Sequence, residues 1–220
     1  GLLLANYRTA IVAGSPIMFY FAVLSLTRIF PNRVRLLVTL SCGIMVFTGA
    51  FLVMSSSERF AGMGEAVEKL SGGLPAPESF TRDDQHILTG RVYIWANYYN
   101  AWKSGDSLQK LVGVGPETWS NKFKVYAHNS FFHYLYEIGI IGLVALTITL
   151  FSIPLMGLMG PPRERIGFLA VSVGYLFLNM ATMPLWQIEG LLTFGIILGL
   201  AASSFSLKRK MPYEPIETDG

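Results

Sequence analysis

The sequence predicts an all-α integral membrane protein, a multi-span helical bundle with a partly helical loop subdomain on its extracytoplasmic side. Three observations predict it. Of 220 residues, 52% are hydrophobic and only 14% are charged, and the mean hydropathy is +0.46, a balance too apolar for an ordinary water-soluble domain. Five apolar runs reach or approach the roughly 20 residues that cross a bilayer: Leu2–Thr27, Leu36–Met54, Phe132–Met159, Ile166–Leu185 and Gly190–Leu207. The short connections carrying Arg28, Arg33 and Arg35, then Arg163 and Arg165, then Lys208 to Lys210 are basic, whereas the Trp186–Glu189 turn has no Lys or Arg.

By the positive-inside rule the basic connections are cytoplasmic, and the long Ser55–Phe131 loop faces outward. The domains expected are therefore two transmembrane helices over residues 1–54, the loop subdomain over 55–131, three transmembrane helices over 132–207 and a cytoplasmic tail over 208–220. The chain opens inside an apolar run, without an initiator Met or a charged n-region, so it reads as a piece of a longer protein. Cys42, the single cysteine, lies inside the second run and reads as a small apolar residue. The tail, Met211–Gly220, is Pro-containing and acidic and reads as disordered.

Within the loop, Ser57 is placed to cap a short helix through Leu70, and Ser71-Gly-Gly-Leu-Pro-Ala-Pro77 breaks it. A second helix is expected from about Asp84 to Lys103. Its Tyr93, Trp95, Tyr98, Tyr99 and Trp102 suit a helix lying at a membrane interface. Gly113-Val-Gly-Pro116 forces a turn. No internal repeat or low-complexity tract is present. Charge is uneven: residues 55–90 hold six acids and three bases, and residues 91–131 hold five bases and two acids. The second half would therefore attract an anion.

The residues that offer chemistry are few. His128 and Asn129 stand where the polar loop meets an incoming apolar helix. A neutral imidazole there can take a proton from a hydroxyl near the working pH, and Asn129 can fix a neighbouring loop or a sugar hydroxyl. Arg91 and Trp95 share a helix face at i,i+4, so stacking is one reading and anion binding another. Arg8, inside an apolar run, is either an interfacial anchor or a planar fork for phosphate oxygens. Glu189, on an outward turn beside Trp186 and Gln187, can bind sugar or simply end a helix. His133 reads as structural. No His/Cys/Asp/Glu cluster has metal-ligand spacing, and no P-loop, zincin motif or nucleophile elbow is present.

Taken together, Asn6-Tyr7-Arg8-Thr9, Thr89-Gly-Arg91 with Trp95, Val112-Gly-Val-Gly115, His128-Asn129 and Tyr136-Glu137-Ile-Gly139-Ile-Ile-Gly142-Leu143 resemble the O-antigen ligase/polymerase superfamily over about residues 5–150. Tyr7 departs from the Ser that more commonly precedes the first arginine. The resemblance implies the C-terminal half of a GT-C-like, metal-independent, inverting glycosyltransferase of the bacterial inner membrane, acting at its periplasmic face without a cofactor. Its donor would be an undecaprenyl-diphosphate-linked glycan, and its acceptor a hydroxyl of a glycan, of lipid A-core or of a protein. Besides these and membrane lipid no partner is expected, and no nucleic acid. By match of position, Arg8 and Arg91 would hold the donor diphosphate, and His128 would act on the acceptor, with Asn129, Trp95 and Glu189 as substrate-binding candidates. The rival class is a non-catalytic scaffold or transporter segment of an envelope polysaccharide export system. A transporter would place ionisable residues at mid-depth in several helices, and apart from Arg8 these runs have almost none.

Overall fold

Apolar runs punctuated by proline and glycine dictate helices with abrupt ends, and that is what the computed structural model contains. It describes residues 8–55, 71–82, 84–85 and 90–210, and among these every regular element is helical. The α-helices are α1 (Arg8–Ile29), α2 (Asn32–Ser55), α3 (Arg91–Lys103), α4 (Ser107–Val112), α5 (Ser130–Glu137), α6 (Gly139–Met159), α7 (Pro162–Ala181) and α8 (Ile188–Lys210). Short 3₁₀ turns lie at Pro77–Ser79, Thr118–Asn121 and Pro184–Trp186. Among the described residues, Gly139–Met159 and Ile188–Ser206 have the length and apolar character to cross a membrane, and Ala13–Leu26 is a shorter apolar stretch. The fold is that of a helical membrane protein.

Several boundaries differ from those predicted. The helix expected from Asp84 starts at Arg91, after Gly90 in a left-handed conformation (φ 78°). Ahead of it Thr81 and Asp84 exchange side-chain hydrogen bonds with each other's backbone N–H, at 3.0 and 3.3 Å, a reciprocal cap that opens a 3₁₀ turn at Asp84 and Gln85. The third apolar run is not one helix from Phe132. It breaks at Gly139 (φ 69°), so α5 stands ahead of the membrane-length helix α6. The helix expected over Ser57–Leu70 and the tail Met211–Gly220 lie outside the described residues.

The chain divides into two compact units, one of residues 1–20, 147–178 and 184–220, the other of residues 21–146 and 179–183. In the first, glycines let helices approach closely. A Cβ on Gly157 of α6 would sit 2.3 Å from the Phe168 side chain of α7, and one on Gly174 of α7 would sit 2.2 Å from the Ala13 carbonyl of α1. Small residues at such contacts are the usual means of packing helices where no water drives them together. Tyr175, buried on α7, donates its hydroxyl to the Gly190 carbonyl at 3.0 Å.

Two connections share a turn. Phe30-Pro-Asn-Arg-Val-Arg35 and Gly160-Pro-Pro-Arg-Glu-Arg165 both read Pro-x-Arg-x-Arg, a short internal repeat that the sequence reading passed over. In each, the second arginine folds back on the end of the preceding helix: Arg35 Nε donates to Phe30 O at 3.0 Å and Arg165 Nε to Gly160 O at 3.2 Å. A cation that satisfies the last carbonyl also sits at the negative end of the helix dipole.

The second unit holds two small apolar cores. Phe80, Val92 and Ala96 make one, and Tyr98, Ala127 and Tyr136, with Trp119, Phe123 and Phe132 around them, make the other. The latter lies directly under the loop that carries His128.

Candidate functional site

Helix α3 builds the floor of this site. Arg91, Trp95, Tyr98 and Trp102 fall at i, i+4, i+7 and i+11, a single face of the helix. Three of them donate to carbonyls of the chain that returns over it. Trp102 Nε1–H reaches Lys110 O at 3.1 Å, the Tyr98 hydroxyl reaches Val125 O at 3.1 Å, and Trp95 Nε1–H reaches Ala127 O at 3.0 Å. Burial and the neighbouring Glu137 push the Tyr98 phenol up, so it remains a donor. Trp95, Tyr98 and Trp102 therefore fasten a loop. Each such bond contributes about 1 kcal/mol net, and each carbonyl left orphaned would cost more.

The other wall is α5. Asn129 caps it: its Oδ1 accepts from the N–H groups of Phe131 and Phe132 at 2.9 and 3.3 Å, and its Nδ2 donates to Met180 O at 3.0 Å. Next to it, the Ser130 hydroxyl donates to Asn179 Oδ1 at 2.7 Å, with both residues wholly buried. Asn129 was a substrate-binding candidate. Its amide is occupied on both sides and 4% exposed, so of the two roles open to it the geometry gives it loop fixing.

Pinned from both sides, His128 adopts a left-handed backbone (φ 50°). That conformation costs a non-glycine residue about 1 kcal/mol or more and persists only when its surroundings impose it. Here Ala127 O is held by Trp95, and Asn129 opens the next helix. The turn leaves the imidazole half-buried, packed on the Tyr126 ring with centroids 3.9 Å apart. Burial, and then the Arg91 guanidinium, lower its pKa from the ordinary 6.5. Arg91 and His128, 37 positions apart in the chain, thus lie within electrostatic reach of each other.

Trp95 stacks on Phe132 (centroids 5.8 Å, planes 22° apart), and with its N–H spent on Ala127 it also belongs to the framework. Arg8 is the first residue of α1 and belongs to the other unit, with its side chain outside the described residues. Glu189 also belongs to that unit, exposed in the first turn of α8, where its carbonyl accepts from the Thr193 hydroxyl at 2.7 Å.

The sequence reading missed Glu137. It is 1% exposed, and its carboxylate accepts from the N–H groups of Glu117 (Oε2) and Trp119 (Oε1), each at 3.0 Å. His133 Nε2 is 3.1 Å from Oε2. Burial pushes this pair toward neutrality from opposite sides, His133 down to about 4 and Glu137 up, while the backbone donors pull Glu137 back. A glutamate one turn after a histidine in a mostly apolar helix was the available signal.

Among the described residues, the chain combines membrane-length helices with an arginine in electrostatic reach of a half-buried histidine. The O-antigen ligase family matches residues 1–147, and the chain belongs to that family. No curated protein and no solved structure matches it.

Proposed function

We propose that the chain carries the catalytic loop of a multi-pass glycosyltransferase of the bacterial inner membrane. It would transfer a glycan from an undecaprenyl-diphosphate carrier to a hydroxyl acceptor on the periplasmic side. The observation that supports this best is the half-buried imidazole of His128, held in a left-handed turn between the Trp95 and Asn129 bonds, within electrostatic reach of Arg91 and below its ordinary pKa. His128 accepts the proton of the acceptor hydroxyl as that oxygen bonds to the anomeric carbon. The carbon–oxygen bond to the diphosphate breaks, and undecaprenyl diphosphate leaves with the electron pair. Attack opposite the leaving group inverts the anomeric centre. Arg91 stabilises the charge gathering on the diphosphate, a task a positioned guanidinium can perform without a metal ion. The family resemblance implies Arg8 as a second guanidinium on the same group. Glu189 has no role in this reading.

The carrying experiment is a transfer assay on the intact protein in lipid, with an undecaprenyl-diphosphate-linked glycan and a hydroxyl acceptor. Wild-type turnover with a chelator present is expected, and no turnover under any condition overturns the reading. Topology is checked by labelling single cysteines from outside, in a Cys42→Ser background. Ser79→Cys and Ser107→Cys are expected to react and Asn32→Cys and Pro161→Cys to stay protected; the reverse pattern would overturn the orientation.

Arg91 carries a double expectation. A base works only unprotonated, so the lowered pKa keeps His128 competent at acidities where an ordinary imidazole is already protonated. Arg91→Gln removes the charge that contributes to the lowering, so the acid limb of kcat/KM should move to higher pH. Donor use should fall about 10–100-fold as the forked contact is lost. An acid limb that stays in place would show that Arg91 does not act on His128.

A further inference from the structure

We propose that Glu137 is a positioning residue that sets the orientation of His128 through Trp119 and Tyr126. This rests on His128 being the base of the proposed reaction. The carboxylate of Glu137 holds the 3₁₀ turn Thr118–Asn121 by its entrance, taking the N–H of Glu117 on one oxygen and that of Trp119 on the other, each at 3.0 Å. The backbone of the same residue is engaged as well. Gly115 N–H donates to Glu137 O at 2.9 Å, and Val114 N–H donates to Tyr136 O at 3.2 Å. Contact then passes along side chains. The Trp119 indole meets the Tyr126 ring edge to face, with centroids 6.2 Å apart and planes at 76°, and Tyr126 packs against the His128 imidazole at 3.9 Å.

The chemistry of the carboxylate suits this task. Two backbone donors approach two oxygens, and a carboxyl group can accept on both, any hydrogen it carries being free to turn toward His133 Nε2, 3.1 Å from Oε2. Glutamine has the same shape but one acceptor, so its NH₂ must face an N–H. The group is 1% exposed, so water does not replace the lost bond. Tyr126 is 41% exposed, so the link it supplies can be cut with little risk to the fold.

The test uses Glu137→Gln and Tyr126→Ala in the intact protein, with His128→Ala alongside. Donor affinity is measured separately from kcat. Both variants are expected to bind the lipid-linked donor within about twofold of wild type while kcat falls about 10–100-fold, the cost of misplacing a reacting group by about an ångström. Amide hydrogen exchange at Glu117 and Trp119 should quicken in Glu137→Gln and stay slow in Tyr126→Ala. Wild-type kcat in either folded variant overturns the proposal, as does a parallel loss of donor binding and kcat, which marks a merely structural residue. If Glu137→Gln does not fold, Tyr126→Ala decides alone. A wild-type rate in His128→Ala instead removes the base assignment beneath it, so the two failures are distinguishable.

Discussion

His128→Ala in the intact protein is expected to reduce glycan transfer by about 10²–10⁴-fold, the usual contribution of a general base, while donor affinity stays within about twofold. The two quantities separate because in the proposed reaction the imidazole acts on the acceptor hydroxyl and guanidinium holds the diphosphate. Folding should be little affected. Neighbouring residues hold the loop: Trp95 binds Ala127 O, Tyr98 binds Val125 O, and Asn129 binds Met180 O and caps α5. His128→Gly is a useful companion, because glycine accepts φ 50° without strain. It should be at least as stable as the alanine variant and equally inactive. Transfer at the wild-type rate by either would leave the His-Asn pair as a loop anchor and nothing more.

Gly113→Ala is expected to destabilise the protein by about 2–5 kcal/mol, from overpacking together with a left-handed alanine, a large part of the roughly 5–15 kcal/mol that holds a typical domain folded. Gly113 has φ 79°, and a Cβ there would lie 2.1 Å from the Glu137 carbonyl oxygen and 2.4 Å from the Ile138 nitrogen. These are backbone atoms that no rotamer change can move aside. Gly139 answers from the opposite strand of the crossing: at φ 69°, its Cβ would lie 2.4 Å from the Leu111 carbonyl oxygen. Gly115→Ala is the control, left-handed as well (φ 110°) but with nothing nearer than the Thr118 methyl at 3.5 Å. Thermal unfolding in detergent should rank the variants in that order. Equal stability for Gly113→Ala and Gly115→Ala would show that the crossing is not tight.

That crossing explains why the site was only partly legible in the sequence. Hydropathy and proline placement mark helices well, because span length and breaker position are local properties. They brought α2 and α8 within about four residues of their observed ends, and α6 at its C-terminal end. His128, Arg91 and the Gly-Val-Gly and Glu-Ile-Gly stretches could be singled out as unusual residues in unusual places. Their partnership could not. Nothing local says that Gly113 lies on Glu137, that Tyr98 reaches Val125, or that Asn129 spends its amide on Met180, since each pair joins positions 24 to 51 residues apart. The loop bonds of Trp95, Tyr98 and Trp102 were hidden for the same reason. Tyrosine and tryptophan are amphipathic at a lipid interface and equally so against loop carbonyls, and only the returning chain decides between the two. The α-helix begins at Arg91 and not at Asp84, with Gly90 left-handed (φ 78°) at its N-cap, a break that a helical pattern of side chains does not reveal.

The paired Pro-x-Arg-x-Arg turns carry a consequence for how such a chain is made. In the proposed orientation, the charge that tells each hairpin which way to face is the same group that closes the helix before it. Arg35 and Arg165 are address and fastener at once. Arg33 and Arg163 add to the charge of the same two turns, while Arg35 and Arg165 also shape the bend. A change at either position that merely lightens the charge also frees a carbonyl at the helix end, so drift in orientation is coupled to a loosened hairpin.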